Sequence, residues 1–210
     1  VLKNQYGFAD ADVTLLLDRQ ARAAAIEKSL RQLTQESGAD DSVLIYYAGH
    51  GDLDKLTGSG WWVPANAKGG EPSSYMENSI IQKYVKSMKA RHVLVVADSC
   101  FSGTLFGEAR AIPPIDDKYY ATLYKEKSRW GMTSGNKTPV SDDGAGGHSI
   151  FAYHFLKELR EHEGSYLTPR EIYQRIGPAV RNNSEQMPIV QPIKNAGDEN
   201  GEFVFIRMAA

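Results

Sequence analysis

The sequence predicts an α/β fold: a largely parallel β-sheet between helices on both faces. Three observations lead there. Short apolar runs recur along the chain, helical patterns separate them, and the first three runs are apolar without alternation, as strands buried on both faces are. Strand–helix–strand order at this spacing builds βαβ units, whose crossover helices cover both sides of the sheet. The 210 residues fit one domain with insertions, at about 150 residues per domain. A chain 41% hydrophobic and 24% charged can bury a core.

Val13–Leu17 (VTLLL) is the first expected strand. Asp18 follows as an N-cap, and Ala23, Ile26, Leu30 and Leu33 then fall at helical spacing. Val43–Ala48 (VLIYYA) is the second strand. Asp52–Asn78, rich in Gly, Ser and Asn around Trp61-Trp62-Val63-Pro64, reads as a loop or small hairpin thrown out from that strand's end. Ile81, Tyr84, Val85 and Met88 mark a helix ahead of the third strand, Val93–Ala97 (VLVVA). Ser102–Arg129 lacks clear periodicity, carries Pro113-Pro114 and reads as a long mobile connection, a length that is usually functional. A fourth strand is expected over Trp130–Thr133. Ser149 then opens a helix with Phe151, Phe155 and Leu159 on one stripe. Thr168-Pro169-Arg170-Glu171 is a capping box with Pro at the first helical position. Ile172, Ile176 and Val180 follow, with Gly177-Pro178 bending or ending that helix, and Glu202–Ile206 is the fifth strand.

Composition excludes several function classes. With 24 Lys+Arg against 26 Asp+Glu, a net charge of −2 gives no electrostatic reason for a nucleic-acid or anionic-membrane partner. No apolar run approaches the roughly 18 residues that span a bilayer, and Val1 opens no signal-like segment. Cys100 is the single cysteine, which rules out an internal disulfide framework and a zinc site of several thiolates and favours a reducing compartment such as the cytoplasm.

Open α/β sheets bind ligands outside the carboxyl ends of their strands. Two such ends carry reactive groups: VLIYYA runs into Gly49-His50-Gly51, and VLVVA into Asp98-Ser99-Cys100-Phe101-Ser102-Gly103. If these strands are neighbours, His50 and Cys100 share one edge. A thiol of ordinary pKa, about 8.5, is only a few per cent thiolate at neutral pH, so an imidazole beside it would handle its proton. Backbone N–H groups of Gly51 and Cys100 are candidates for stabilising an oxyanion. Taken singly, a cysteine after a strand is more often a small buried hydrophobe, and a histidine more often structural. The pairing at two strand ends, each bracketed by small residues, favours a reactive dyad. His92 starts its strand, at the wrong edge; His154 and His162 lie on a helix; His148, in a glycine-rich loop, is the rival base.

These residues resemble the caspase-like cysteine peptidases, and within them the metacaspases and their bacterial relatives. Tyr46-Tyr47-Ala48-Gly49-His50-Gly51 resembles the family's strand-then-His-Gly signature, and Val95–Gly103 its strand-then-Asp-Ser-Cys-x-Ser-Gly nucleophile signature. His50 precedes Cys100 by fifty residues, matching the separation of about 50 in caspases. Leu17-Asp18-Arg19-Gln20-Ala21, Met132-Thr133-Ser134-Gly135 and His148-Ser149-Ile150-Phe151 extend the likeness over nearly the whole chain.

The resemblance implies a caspase-like three-layer sandwich and peptide-bond hydrolysis through a thioester, with Cys100 as nucleophile and His50 as general acid/base. Where Asp-cutting caspases carry Gln-Ala-Cys, this chain has Asp98-Ser99-Cys100. A carboxylate there attracts Arg or Lys at P1 and repels Asp; the lesser alternative is that Asp98 caps the following turn or supports His50. Trp130, Ser128 two residues before it, and the Trp61-Trp62 pair are the candidates for lining a substrate groove. The family's usual first strand and helix are expected upstream of Val1–Phe8. Processing in the 102–129 loop would use Arg110, Lys118, Lys125 or Lys127. No cofactor is required and no metal ligands are assigned; many metacaspases respond to calcium, so calcium dependence stays open here with no residues assigned to it. The expected partner is a peptide or protein substrate. Two other classes stay open: a catalytically silent interaction module, and a thiol hydrolase or acyltransferase using the same dyad.

Overall fold

The computed structural model describes residues 1–99, 105–106, 117–135, 145–183 and 187–209. A short helix, Leu2–Tyr6 (α1), is tied down by the Tyr6 hydroxyl, which donates to the Leu159 carbonyl at 2.8 Å. Ala23–Glu36 (α2) leads to the strand Ser42–Ala48 (β1). Gly51–Leu53 (β2), Gly60–Trp62 (β3) and Met76–Glu77 (β4) form a small antiparallel sheet. Asn78–Ser87 (α3) precedes His92–Asp98 (β5). Asp117–Lys125 (α4), Ser128–Thr133 (β6), Ile150–Glu161 (α5), Tyr166–Leu167 (β7), Pro169–Asn183 (α6), Ile189–Pro192 (β8) and Phe205–Ile206 (β9) complete the chain.

The main sheet runs β1-β5-β6-β8, the first three strands parallel and β8 antiparallel to β6. It is a mixed, largely parallel sheet with helices on both faces, the α/β sandwich the sequence implies. Every residue of β5 is buried, and alternation divides it between two cores. Leu94 and Val96 join Trp130, Met132, Phe151, Phe155 and Ile176 under α5 and α6; Val93, Val95 and Ala97 join Leu30, Ile81, Val85 and Met88 under α2 and α3.

At the amino ends of the strands a cation is used structurally. Arg129, fully buried, donates to the carbonyls of Met88, Ala90, Arg91 and Ser128 at 2.7–3.1 Å, gathering the backbone just beyond α3. Burial pulls its pKa down to about 10, still protonated at neutral pH. The Thr168–Glu171 capping box forms as expected: the Glu171 N–H donates to the Thr168 hydroxyl at 3.3 Å, and the Thr168 N–H to the Glu171 carboxylate at 2.9 Å.

Five expectations are corrected. Val13–Leu17 is no strand: Val13 and Leu17 have extended backbones, but Leu15 and Leu17 are 66% and 55% exposed and the segment pairs with no sheet. Asp18 does not cap α2; it sits in a 3₁₀ turn with φ of 46°, and the Ala23 N–H is taken by the Asn66 side chain at 2.9 Å. The stretch read as a mobile connection contains α4. Of the two outcomes expected at Gly177-Pro178, a bend or an end, the end is overturned: α6 continues to Asn183 with Pro178 inside it. Of Glu202–Ile206 only Phe205–Ile206 is a strand, pairing with β7 outside the main sheet, while the Glu202 N–H turns to the Leu123 carbonyl at 3.3 Å and its carboxylate to Arg170.

Candidate active site

Parallel pairing brings β1 and β5 to the same edge in register, Ala48 opposite Asp98. The Gly49 N–H continues the ladder to the Asp98 carbonyl at 3.3 Å, and the Ser134 N–H continues it on the other side to Ala97 at 3.2 Å. The Gly-His-Gly turn and the Asp-Ser turn therefore leave adjacent strands side by side. Cys100 lies outside the described residues, as do residues 101–104.

His50 is exposed, but its main chain is held. Its carbonyl accepts from the Tyr47 hydroxyl at 2.7 Å and from the Val63 N–H at 3.0 Å. The Tyr47 ring stacks on the buried Trp62, centroids 4.2 Å apart and planes 3° from parallel. A side chain at Gly49 would put its Cβ 2.8 Å from the Tyr47 hydroxyl oxygen, so only glycine leaves room for that bond.

The next residue has a particular backbone orientation. β2 and β3 pair with Gly51 opposite Trp62, Asp52 opposite Trp61 and Leu53 opposite Gly60. Hydrogen bonds join His50 to Val63 and Asp54 to Ser59 on the same register. Alternation in an antiparallel ladder makes Gly51–Trp62 a non-bonded pair, so the Gly51 N–H points away from β3.

Asp98 is buried at 5% exposure, and its Oδ2 accepts from the Ser149 hydroxyl at 2.5 Å. Ser149 is also the N-cap of α5, accepting from the Ala152 N–H at 2.9 Å. The carboxylate thus lies where the helix N-terminus favours negative charge. Tyr46, 41% exposed, carries a phenol raised above the ordinary range by partial desolvation and then by the charge of Asp98. Sequence periodicity reads Ser149 as a helix start and gives no hint that its hydroxyl reaches Asp98.

Other candidates are not gathered here. Ser128 pairs opposite His92 at the far end of the sheet and donates to His92 Nδ1 at 2.8 Å, since His92 Nε2 donates to the Tyr124 carbonyl at 3.0 Å. Trp130 is buried in the core, its Nε1 donating to the Gly201 carbonyl at 2.8 Å and the Arg170 guanidinium 4.9 Å over its ring. Of the tryptophan pair, Trp62 is core and Trp61 is half-buried against Tyr75. Lys118 and Lys125 lie within α4, and the Lys127 carbonyl accepts from Glu199 and Gly201 N–H groups. Arg110 lies outside the described residues. His148, exposed, immediately precedes Ser149 and so shares the site's edge. Among the described residues no group of three His, Cys, Asp or Glu side chains is placed to hold a metal ion.

A family model described as the caspase domain matches residues 1–196. Comparison with curated proteins finds no match. Among solved structures the fold is similar to a protein from Geobacter sulfurreducens, with a TM-score of 0.54 and 18% identity over 86% of this chain and 77% of that one. At that identity the likeness concerns the fold alone.

Proposed function

The chain belongs to the caspase-domain family, whose members are cysteine peptidases acting on proteins, and from that premise we propose a metacaspase-like endopeptidase that cuts after Arg or Lys through a Cys100–His50 dyad. His50 takes the thiol proton, and the thiolate sulfur attacks the substrate carbonyl. The C–N bond breaks with His50 returning that proton to the leaving amine, and water then hydrolyses the thioester. The observation that carries the reading is the in-register pairing of Ala48 with Asp98, which sets the base turn against the turn leading to the nucleophile. The outward Gly51 N–H supports its role, with the Cys100 N–H, as an oxyanion donor.

The basic P1 preference rests on Asp98. A buried carboxylate at the same strand end, oriented by Ser149, attracts a guanidinium or ammonium group and repels a P1 Asp. Self-processing is proposed at Arg110, because Lys118 and Lys125 are helical and the Lys127 peptide is hydrogen-bonded into the fold.

Fluorogenic peptides ending in Arg, Lys, Asp and Ala, with and without calcium, test the reading against Cys100→Ala, His50→Ala and His148→Ala variants. Turnover of Arg and Lys substrates that disappears in the first two variants and survives in the third is expected. Turnover of Asp substrates alone would overturn the pocket assignment, and dependence on His148 instead of His50 would move the base. No turnover under any condition would leave an interaction module as the better account. Prolonged incubation should give fragments ending at Arg110 in the wild type and none in Cys100→Ala.

A further inference from the structure

We propose that Tyr47 is a positioning residue for the catalytic base, its phenol locking the main chain of His50 so that the imidazole is presented at one place on the sheet edge. The proposal rests on the reading of His50 as that base. Ala48, Gly49 and His50 are all exposed, so packing against the core does not hold this turn. Hydrogen bonds do. The Tyr47 hydroxyl spans back over three residues to the His50 carbonyl at 2.7 Å. The same oxygen accepts from the Val63 N–H at 3.2 Å, and that N–H also reaches the His50 carbonyl at 3.0 Å; the Val63 carbonyl, at 3.2 Å, is a second and longer acceptor for the phenol proton. The phenol, the His50 carbonyl and Val63 therefore form a closed triangle joining the end of β1 to the end of β3.

Three features keep the triangle rigid. Trp62, 2% exposed, stacks flat on the Tyr47 ring and fixes its plane. Glycine at position 49 leaves the space the hydroxyl needs, since a Cβ there would lie 2.8 Å from it. Burial pushes the phenol up to about 12, so it keeps its proton, and remains a donor, throughout the neutral range. Catalysis by a base needs its ring within hydrogen-bond reach of the thiol, and small misplacements cost heavily. A phenol that fixes the base from behind, without touching substrate, should act on turnover and not on substrate affinity.

The test is Tyr47→Phe, which keeps the stack on Trp62 and removes only the hydroxyl. Rates are expressed per active site titrated with a thiol-directed inhibitor, so that a fraction of misfolded protein does not count. The expected result is a kcat lowered about tenfold with KM unchanged within twofold. Alkylation by iodoacetamide gives a substrate-free readout, because Cys100 is the single cysteine. Its pH midpoint should rise by about half a unit or more as the imidazole loses its hold on the thiolate. Gly49→Ala should lower kcat in the wild-type background and cost less in the Tyr47→Phe background, where the oxygen it would crowd is gone. Wild-type kcat per site together with an unmoved alkylation midpoint in Tyr47→Phe would overturn the proposal, whatever the change in thermal stability. Full activity of His50→Ala would instead overturn the dyad, while an inactive His50→Ala beside an unaffected Tyr47→Phe would overturn the positioning role alone.

Discussion

At the scale of single residues, Ser149 ties an element of the fold to the site. Its oxygen accepts from the Ala152 N–H, capping α5, while its proton goes to the buried Asp98 carboxylate. Losing a serine N-cap costs about 0.5–2 kcal/mol, and a hydrogen bond to a charged group contributes about 1.5–3 kcal/mol. Ser149→Ala should therefore lose about 2–5 kcal/mol in urea unfolding, with Ser149→Thr recovering most of it. Ser149→Gly separates the two roles, because glycine at an N-cap costs only a few tenths of a kcal/mol, so its deficit reads the Asp98 bond. A Ser149→Gly protein as stable as the wild type would refute that bond. Asp98 and Ser149 each stand out in the sequence, one before the lone thiol and one before a helical stripe. Their contact spans 51 residues, and no local pattern encodes it. The same holds for Tyr47, whose partner Val63 lies across a segment that composition reads as a loop or small hairpin but whose register it does not give.

At the scale of elements, what was legible followed from periodicity, and what was missed followed from partners. β5 and the α6 capping box are set by local sequence and appear where the residues place them. VTLLL has the right residues and an extended backbone at both ends, yet a strand exists only with a neighbouring ladder, and here it has none. The start of α2 depends on Asn66, 43 residues away. α4 was detectable: Tyr120, Leu123 and Tyr124 fall at helical spacing, but tyrosines do not read as an apolar stripe. α6 carries Pro178 beyond its first turn, where the ring removes one backbone hydrogen bond and crowds the preceding turn. Pro178 is exposed, so its replacement disturbs no packing. An interior proline costs about 3 kcal/mol, of which up to about 1 kcal/mol is returned through the stiffer unfolded chain. Pro178→Ala should thus gain about 2 kcal/mol, raising Tm by roughly 4–8 °C for a chain of this size. An unchanged or lower Tm in a thermal melt would contradict it.

At the scale of the whole molecule, the two edges of the sheet have separate work. The carboxyl edge holds Asp98 and the Gly-His-Gly turn, while the amino edge holds His92, Ser128 and Arg129 in a buried polar knot. That knot sets how the fold answers acid. His92 is buried, and desolvation first, then the positive charges of Arg91 and Arg129, draws its pKa from 6.5 down to about 4 against the bond to Tyr124. Between those values the unfolded chain binds a proton that the native protein does not, so stability is fully present above pH 6.5 and drains as pH falls toward 4. At about 1.36 kcal/mol per unit the loss approaches about 3 kcal/mol. Glu202 acts with the opposite sign: burial raises its carboxyl against the pull of Arg170, so the native state takes up its proton first and gains as the pH drops through that raised value. The wild-type curve is the sum of both, and a flat total would hide the two. The difference between wild type and His92→Gln isolates the histidine. Urea unfolding from pH 7 to 4 should show the wild type losing up to about 3 kcal/mol more than His92→Gln, whatever the variant's stability at neutral pH. Parallel curves for the two proteins would mean that His92 does not stay neutral in the fold, and would remove the amino edge as the source of acid sensitivity.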